Sequence, residues 1–408
     1  MELFTVKRRS EVAKILESEF QTRSLKEETV GIHQALNRIL SKDLVAADNI
    51  PPFRRSTVDG YAVRSENTIG CSESLPAFLQ LMGETRMGEG TDLLIGQDQT
   101  VYVPTGGIVP NGADAVCMIE HTENFDGEIA IQTPMKPLEN LVDVGDDVSK
   151  GECVLKKGTR ILSQHIGAIA ALGIAEVPVF TKVKVSIIST GDELVAPGSP
   201  LRLGQIRDSN TDSLRAMVTS IGCEIVMVDR IKDEFESIQS ALKQAIDSSD
   251  VVMISGGSSV GNHDMTPEII NSLGEPGILV HGIAIKPGKP TMLANVNGKA
   301  VFGLPGHPAS CIIAYKAIVE PFIQHDLQGV VQKEFVVQAT SGFQMHVSSG
   351  RDVYYMVSLE ETDQGWIAMP VHGKSGMVSL LSKADGYIEI PMEKEGLEKG
   401  EQVFVKRF

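Results

Sequence analysis

Hydrophobic and polar positions divide the chain into stretches with different periods. Val12, Ile15, Leu16 and Phe20 recur at helical spacing, predicting a helix over Ser10 to Phe20 with Ser10 as its N-cap, and a second helix is predicted near Ile32 to Leu40. Pro51-Pro52 ends helical structure. From about residue 47 to 140 helical faces vanish, Gly and Pro recur, and short runs such as Tyr102-Val103 and Ala115 to Ile119 read as strands. The alternating valines and Gly turns of VDVGDDVSKGECVLKKGTRI read as extended chain, followed by a short helix from Ser163 to a Gly173 stop.

From Val183 the pattern becomes strand–helix alternation. KVSIIS, EIVMV and VVMIS are predicted strands. Helices are predicted from about Asp212 with Gly222 as stop, over Glu234 to Ser248, from Thr266 with Pro267 at the first helical position, and over Ser310 to Ile323. Such alternation implies a mostly parallel sheet covered on both faces. After Gln324, EFVVQAT, VYYMVSL, GWIAMPV and GYIEIPM are short alternating strands of a small all-β domain. The expected fold class is therefore α/β and β multi-domain. It comprises a linking domain, helical and extended, over 1–46 and 141–178; a β-rich insertion over 47–140; a central α/β domain over 179–328; and a C-terminal small β-barrel domain over 329–408.

Length and charge narrow the function. The 408 residues exceed one ordinary core. A net charge of −16 argues against a general nucleic-acid binder. No run of about eighteen apolar residues is present, so no membrane span is expected, and MELFTVKRRSEVAK lacks the apolar segment of a signal peptide. Five widely spaced cysteines without a C-x-x-C pair fit a reduced cytoplasmic setting.

The chemistry concentrates at 251–310. Three apolar runs, Val251 to Ser255, Ile283 to Lys286 and Ala300 to Leu304, read as buried strands of one α/β sheet, each ending in a turn where open sheets bind ligands. Gly256, Gly257, Ser258, Ser259 and Gly261 offer backbone N–H groups and hydroxyls. Lys286 and Lys289 offer two cations on a loop that Pro287 and Pro290 stiffen. Gly306, His307, Pro308, Ala309 and Ser310 open a helix. The stretch reads as a cradle for a phosphorylated or otherwise anionic ligand. Asp59, Asp147, Glu193, Asp233 and Asp264 all sit beside Gly turns, where carboxylates commonly cap helices or face water. Glu193 and Asp264 each follow a strand end that should face the cradle, which makes them candidate ligands for Mg²⁺ beside a phosphate. SGGSSVG is neither a P-loop nor a dinucleotide fingerprint, and no GxSxG, HExxH or Cys/His nucleophile set is present. These residues suit metal-assisted transfer at a phosphate; a sugar-phosphate or nucleotide hydrolase is compatible with the same cradle.

PPFRRSTVDGYAVR, VPTGGIVPNGADAVCMIEHTE, VGDDVSKGE, ISTGDEL, GQIRDSNT, ISGGSSVGNHD, IKPGKP, GLPGHPAS and GKSGMVSLLSKADGY follow one another along nearly the whole chain. In this order they resemble the molybdopterin molybdenumtransferase family, which includes MoeA and the gephyrin E domain. The resemblance implies a homodimeric transferase of four domains with each active site between two subunits, and makes the α/β domain molybdopterin-binding. It implies insertion of molybdate into adenylylated molybdopterin with Mg²⁺-supported release of AMP. Asp59, Thr105, Asp147, Glu193, Asp233 and Asp264 match the family's functional polar positions. Lys286, Lys289, Pro290 and Ser310 match its molybdate and pterin pocket, and Arg351 and Ser375 match the arginine and serine supplied by the C-terminal domain. A separate molybdopterin adenylyltransferase and molybdoenzyme maturation proteins are the implied partners. A scaffold that keeps the fold without chemistry, as the gephyrin E domain also anchors receptors, is the rival, and the retained carboxylates and lysines favour the enzyme. Arg54 stands where PPF is usually followed by Asp, GHP replaces the commoner GNP, and Asn262-His263 precede Asp264 where an acidic residue is frequent.

Overall fold

A computed structural model describes residues 6–20, 26–256, 265–331, 335–347 and 350–408. The chain forms two compact units, one of 43–157 with 167–175 and one of the remaining segments.

The smaller unit is built on a six-stranded sheet. Its strand order is Ala115–Met118, Gly60–Val63, Gln99–Val103, Ala77–Glu84, Glu128–Ile131 and Thr122–Phe125. Alternation along Gly60–Val63 explains its two-sided core. Tyr61 and Val63 pack with Leu79, Cys117 and Ile129, while Ala62 packs with Val101, Val103 and Val116 on the opposite face. Thr100 lies among these apolar strands and is satisfied by donating its hydroxyl to the Ala62 carbonyl at 2.7 Å.

The larger unit holds a second six-stranded sheet, in the order Glu224–Ile231, Lys184–Thr190, Val251–Ser255, Lys299–Leu304, Met292–Val296 and Pro276–His281. The first four strands are parallel to one another, and Met292–Val296 pairs antiparallel with both Lys299–Leu304 and Pro276–His281. Val185, Ile187, Met253 and Phe302 face the helix Asn210–Ser220 and the N-terminal helix through Leu214, Val218, Val12 and Leu16. Ile188, Val252, Ile254 and Val301 face the helices Phe235–Ser248 and Thr266–Leu273 through Ile238, Leu242, Ile269 and Ile270. Both faces are covered, as the continuous apolar runs require.

Beyond this sheet, Asp352–Thr362, Gly365–Pro370, Val336–Ser341, Gln402–Arg407 and Gly386–Ile390 close into a five-stranded barrel. Val357, Ala368, Ile388, Val403 and Val405 fill it. The fold is thus the expected multi-domain α/β and β architecture, with three local corrections. Ile285–Lys286 is a strand, but it pairs in parallel with Asp352 and Val353 of the barrel rather than joining the central sheet. The helix expected near Ile32 to Leu40 is only a turn of 3-10 helix, Ile32–Gln34. Asn37 adopts φ +62 and ends it, and Ile39 and Leu40 bridge to Arg160 and Val179. The first helix starts at Arg9, not after a Ser10 cap, because the Glu11 carboxylate accepts the Arg8 N–H at 2.7 Å.

Candidate active site

Three parallel strands of the larger unit deliver turns to one place. Lys184–Thr190 ends at Thr190, and Val251–Ser255 runs into Gly256 at φ +95, where an added Cβ would lie 2.2 Å from the Thr190 carbonyl oxygen. Only glycine permits that approach. Gly306, after Lys299–Leu304, lies against Gly256, and its carbonyl accepts from Asn210 Nδ2 at 2.8 Å. Behind these turns Asp208 is buried, with 3% of its surface exposed. It accepts the Ser189 and Thr211 hydroxyls at 2.7 and 2.6 Å, the Thr211 N–H at 3.1 Å and Arg230 Nε at 3.1 Å. Burial alone would raise its pKa. The Thr211 hydroxyl, then Ser189, the Thr211 N–H and Arg230, outweigh burial and hold the carboxyl below its usual range. Asp208 and Asn210 belong to GQIRDSNT, where the sequence points to no particular role for either. The available signal was an Asp-Ser-Asn-Thr run opening a helix directly after a strand.

The predicted carboxylates of this unit gather beside Thr190. Asp233 accepts the Thr190 hydroxyl and donates its own N–H to Asp192 Oδ1 at 3.4 Å. The Glu193 carboxylate folds over Gly191, where an added Cβ would meet its Oε2 at 2.7 Å. Asp192, Asp233 and Glu193 are all exposed. Their hard oxygens are of the kind that suits Mg²⁺. Among the described residues, however, no group of three His, Cys, Asp or Glu side chains is placed to hold a metal by itself. Gly257, Ser259 and Asp264 lie outside the described residues.

A cleft of about 480 Å³ opens beside the loop that follows Ile285–Lys286. Lys286, Lys289 and Pro290 line it with Ser310 from the helix that starts at Pro308 and with Arg351 and Ser375 from the barrel. The loop is held from behind by the Ile283 N–H to the Lys289 carbonyl at 2.9 Å and the Thr291 hydroxyl to the Gly288 carbonyl at 2.6 Å. Gly288 at φ +114 makes the turn between the lysines. Among the described residues no carboxylate lines the cleft, and none forms an ion pair with Lys286, Lys289 or Arg351. Tyr354, Tyr355, Met345, Met356 and Leu380 make its other side apolar. His307 caps the helix at the cleft's edge; its Nδ1 lies 3.2 Å from Ser375 Oγ, while the Ala309 N–H donates to the Ser375 carbonyl at 3.1 Å. Histidine thus keeps the turn of the commoner GNP and adds a side-chain contact to the barrel. Gly306 and Pro308 shape this helix start without lining the cleft.

The remaining predicted residues belong to the smaller unit. Asp59 Oδ1 accepts the Thr105 N–H at 2.8 Å, so these two are brought together. Asp147 is exposed in a turn, held by its N–H to the Ile50 carbonyl at 3.1 Å. Arg54 pairs with Asp143 at 2.8 Å, and this hydrogen bond holds the Asp143 carboxyl below its usual range. The charge introduced at Arg54 is therefore compensated locally.

Fold and cleft together define a class: multi-domain α/β proteins with a cleft lined by cations from the loops beside a central sheet and from a small barrel. The chain matches the MoeA N-terminal region (domain I and II) over residues 7–173, a probable molybdopterin binding domain over 186–325 and the MoeA C-terminal region (domain IV) over 338–408. A molybdopterin molybdenumtransferase of Staphylococcus aureus (strain MSSA476) is 32% identical, with 92% of this chain and 90% of that protein covered. One of Bacillus subtilis (strain 168) is 33% identical, covering 93% and 89%. A crystal structure of the molybdopterin biosynthesis MoeA protein of Pyrococcus horikoshii OT3 superposes with a TM-score of 0.86 at 30% identity, covering 99% of this chain and 100% of that one. The chain belongs to the molybdopterin molybdenumtransferase (MoeA) family, transferases of molybdenum cofactor biosynthesis. Among the described residues no helix is long and apolar enough to cross a membrane.

Proposed function

We propose that this chain inserts molybdate into adenylylated molybdopterin and releases AMP. The observation that carries the reading is the cleft's unbalanced positive charge: Lys286, Lys289 and Arg351 converge where no carboxylate among the described residues neutralises them. Molybdate is a dianion, and the chain's net charge of −16 repels it at long range. At physiological salt that field is screened within roughly 8 Å, so cations at contact distance dominate. The Ser310 and Ser375 hydroxyls orient the oxyanion, and the apolar side contributed by Tyr355, Met345 and Met356 suits a planar heterocycle. Glu193 with Asp264 would hold Mg²⁺, which neutralises charge on the adenylyl phosphate when bound. Asp59, Thr105, Asp147 and Asp233 take the family's polar roles in the same reaction. The working form is a homodimer, the adenylylated substrate comes from a separate adenylyltransferase, and the product passes to molybdoenzyme maturation proteins. The test is insertion by the purified chain, supplied with adenylylated molybdopterin, molybdate and Mg²⁺. Stoichiometric AMP and a molybdenum-loaded pterin are expected; AMP release that ignores molybdate overturns the reading.

A further inference from the structure

His307 does not line the cleft, yet it touches a residue that does. It caps the helix that starts at Pro308, and its carbonyl accepts the Cys311 N–H at 2.9 Å. Its backbone is thereby fixed to the helix that carries Ser310 into the cleft. The imidazole reaches the barrel segment opposite. Its Nδ1 is 3.2 Å from Ser375 Oγ. A Cβ added to Gly376 would lie 3.5 Å from its Cδ2 and 3.7 Å from its Nε2, so the ring lies beside the backbone of the next residue as well. The Ala309 N–H donates to the Ser375 carbonyl at 3.1 Å. Ser375 is therefore anchored twice to the helix start, once through its backbone and once through its hydroxyl.

The second anchor has a direction. A hydroxyl has one proton to give, and each nitrogen of a neutral imidazole either donates or accepts. With Nδ1 bare, the Ser375 proton is spent on His307, and Oγ offers the cleft only lone pairs. With a proton on Nδ1, Oγ accepts from His307 and its own proton is released for a ligand. The cations lining the cleft, Lys286, Lys289 and Arg351, have donors only, and no carboxylate among the described residues joins them. A fully deprotonated oxyanion such as molybdate only accepts. It can be met by Ser375 in the second arrangement alone.

We propose that His307 is a positioning residue: it donates Nδ1–H to Ser375 Oγ and so fixes the Ser375 hydroxyl as a donor to a fully deprotonated oxyanion in the cleft. The inference rests on the cleft being the molybdate site. It also accounts for GHP in place of the commoner GNP. The amide nitrogen of an Asn side chain is bonded to Cγ, as Nδ1 of His is, so His307→Asn keeps a donor at the same point along the side chain.

Two measurements separate this role from a merely structural one. The first is ¹⁵N NMR of the histidine-labelled chain with molybdate in excess, the His307 signals being assigned by their loss in His307→Asn. Nδ1 is expected to carry a proton; a bare Nδ1 overturns the proposal. The second is calorimetric titration with molybdate, with melting temperature as control. His307→Leu is expected to weaken binding about tenfold, the usual effect of one hydrogen bond to a charged group, and Ser375→Ala comparably. His307→Asn should bind nearly as wild type does. The double variant His307→Leu/Ser375→Ala should bind no more weakly than Ser375→Ala alone, because the histidine acts only through the hydroxyl. Losses that add, or a His307→Leu affinity equal to that of wild type, overturn the proposal. Should His307→Leu not fold, the protonation of Nδ1 in the wild-type chain still decides. A wild-type chain that binds no molybdate overturns the cleft as the molybdate site and this proposal with it; the other adverse outcomes overturn this proposal alone.

Discussion

Lys289 is exposed on a loop whose backbone is held without its ammonium, through the Ile283 N–H and the Thr291 hydroxyl. An exposed charge of this kind contributes little to stability, within about 1 kcal/mol. Lys289→Ala is therefore expected to leave the melting temperature nearly unchanged while the molybdate concentration for half-maximal insertion rises at least roughly tenfold, with partial rescue at high molybdate. An unaltered concentration dependence would make the loop structural. Asp208 is the opposite kind of residue. Its carboxylate satisfies three side chains and one backbone N–H, so Asp208→Asn leaves buried donors and Arg230 poorly matched and should cost roughly 3 kcal/mol. Because its folded pKa is lowered, the stability it contributes is fully present above the ordinary carboxylate range near about pH 4 and is lost as pH falls through the folded value. The fall in melting temperature on acidification below about pH 5 should accordingly be shallower in Asp208→Asn than in wild type; parallel curves would remove Asp208 as a linked group. The reactive-looking residues of 251–310 were legible as types, since lysine on a Pro-stiffened loop and glycine at a strand end have few other uses. Asp208 was not legible, because an Asp ahead of a helix reads as a cap until its burial is known.

Among the elements, the crevice depends on how closely neighbouring strand ends approach. Gly256 and Gly298 both have positive φ, +95 and +82, but a Cβ at Gly256 would collide with the Thr190 backbone, while Gly298 has open space. Gly298→Ala should cost only the left-handed conformation, about 1–2 kcal/mol. Gly256→Ala adds a backbone clash and should cost roughly 3 kcal/mol or more while displacing Thr190, and with it Asp233, so that insertion falls further than stability explains. Equal melting-temperature losses for the two would disprove the close approach. At this scale the strand–helix alternation from Val183 onward was readable because a sheet covered on both faces needs continuous apolar strands and one-sided helices. The run Ile283 to Lys286 reads as a strand of the central sheet, yet Ile285–Lys286 joins the barrel. Two residues of strand carry no record of their partner, and here the partner is the barrel strand Asp352–Thr362, far along the chain.

For the whole molecule, apolar side chains remain exposed on each unit, considered separately. Phe78, Met82 and Phe125 show 52%, 42% and 53% of their surface on the smaller one; Leu201, Leu203 and Ile206 show 47%, 106% and 55% on the larger. Exposed apolar groups in number commonly mark contact surfaces, and they fit the proposed homodimer. Light scattering at micromolar concentration should give twice the chain mass of 44.0 kDa. A fully active species of 44.0 kDa would rule out a shared active site.

The sequence by itself determined the classes of element, the multi-domain architecture and, through ordered motifs along nearly the whole chain, the family. Period, turn chemistry and glycine placement are local properties that survive in one dimension. Tertiary structure alone decided that Arg351 and Ser375, reached only after the whole central sheet is complete, share a cleft with Lys286, Lys289 and Ser310. It also decided that Arg54 is neutralised by Asp143 and that His307 ties a helix start to the barrel. The physical reason is common to all three. Which charges are compensated and which hydroxyls are satisfied depends on distances of about 3 Å between residues far apart in the chain, and burial and pairing have no signature in the order of residues.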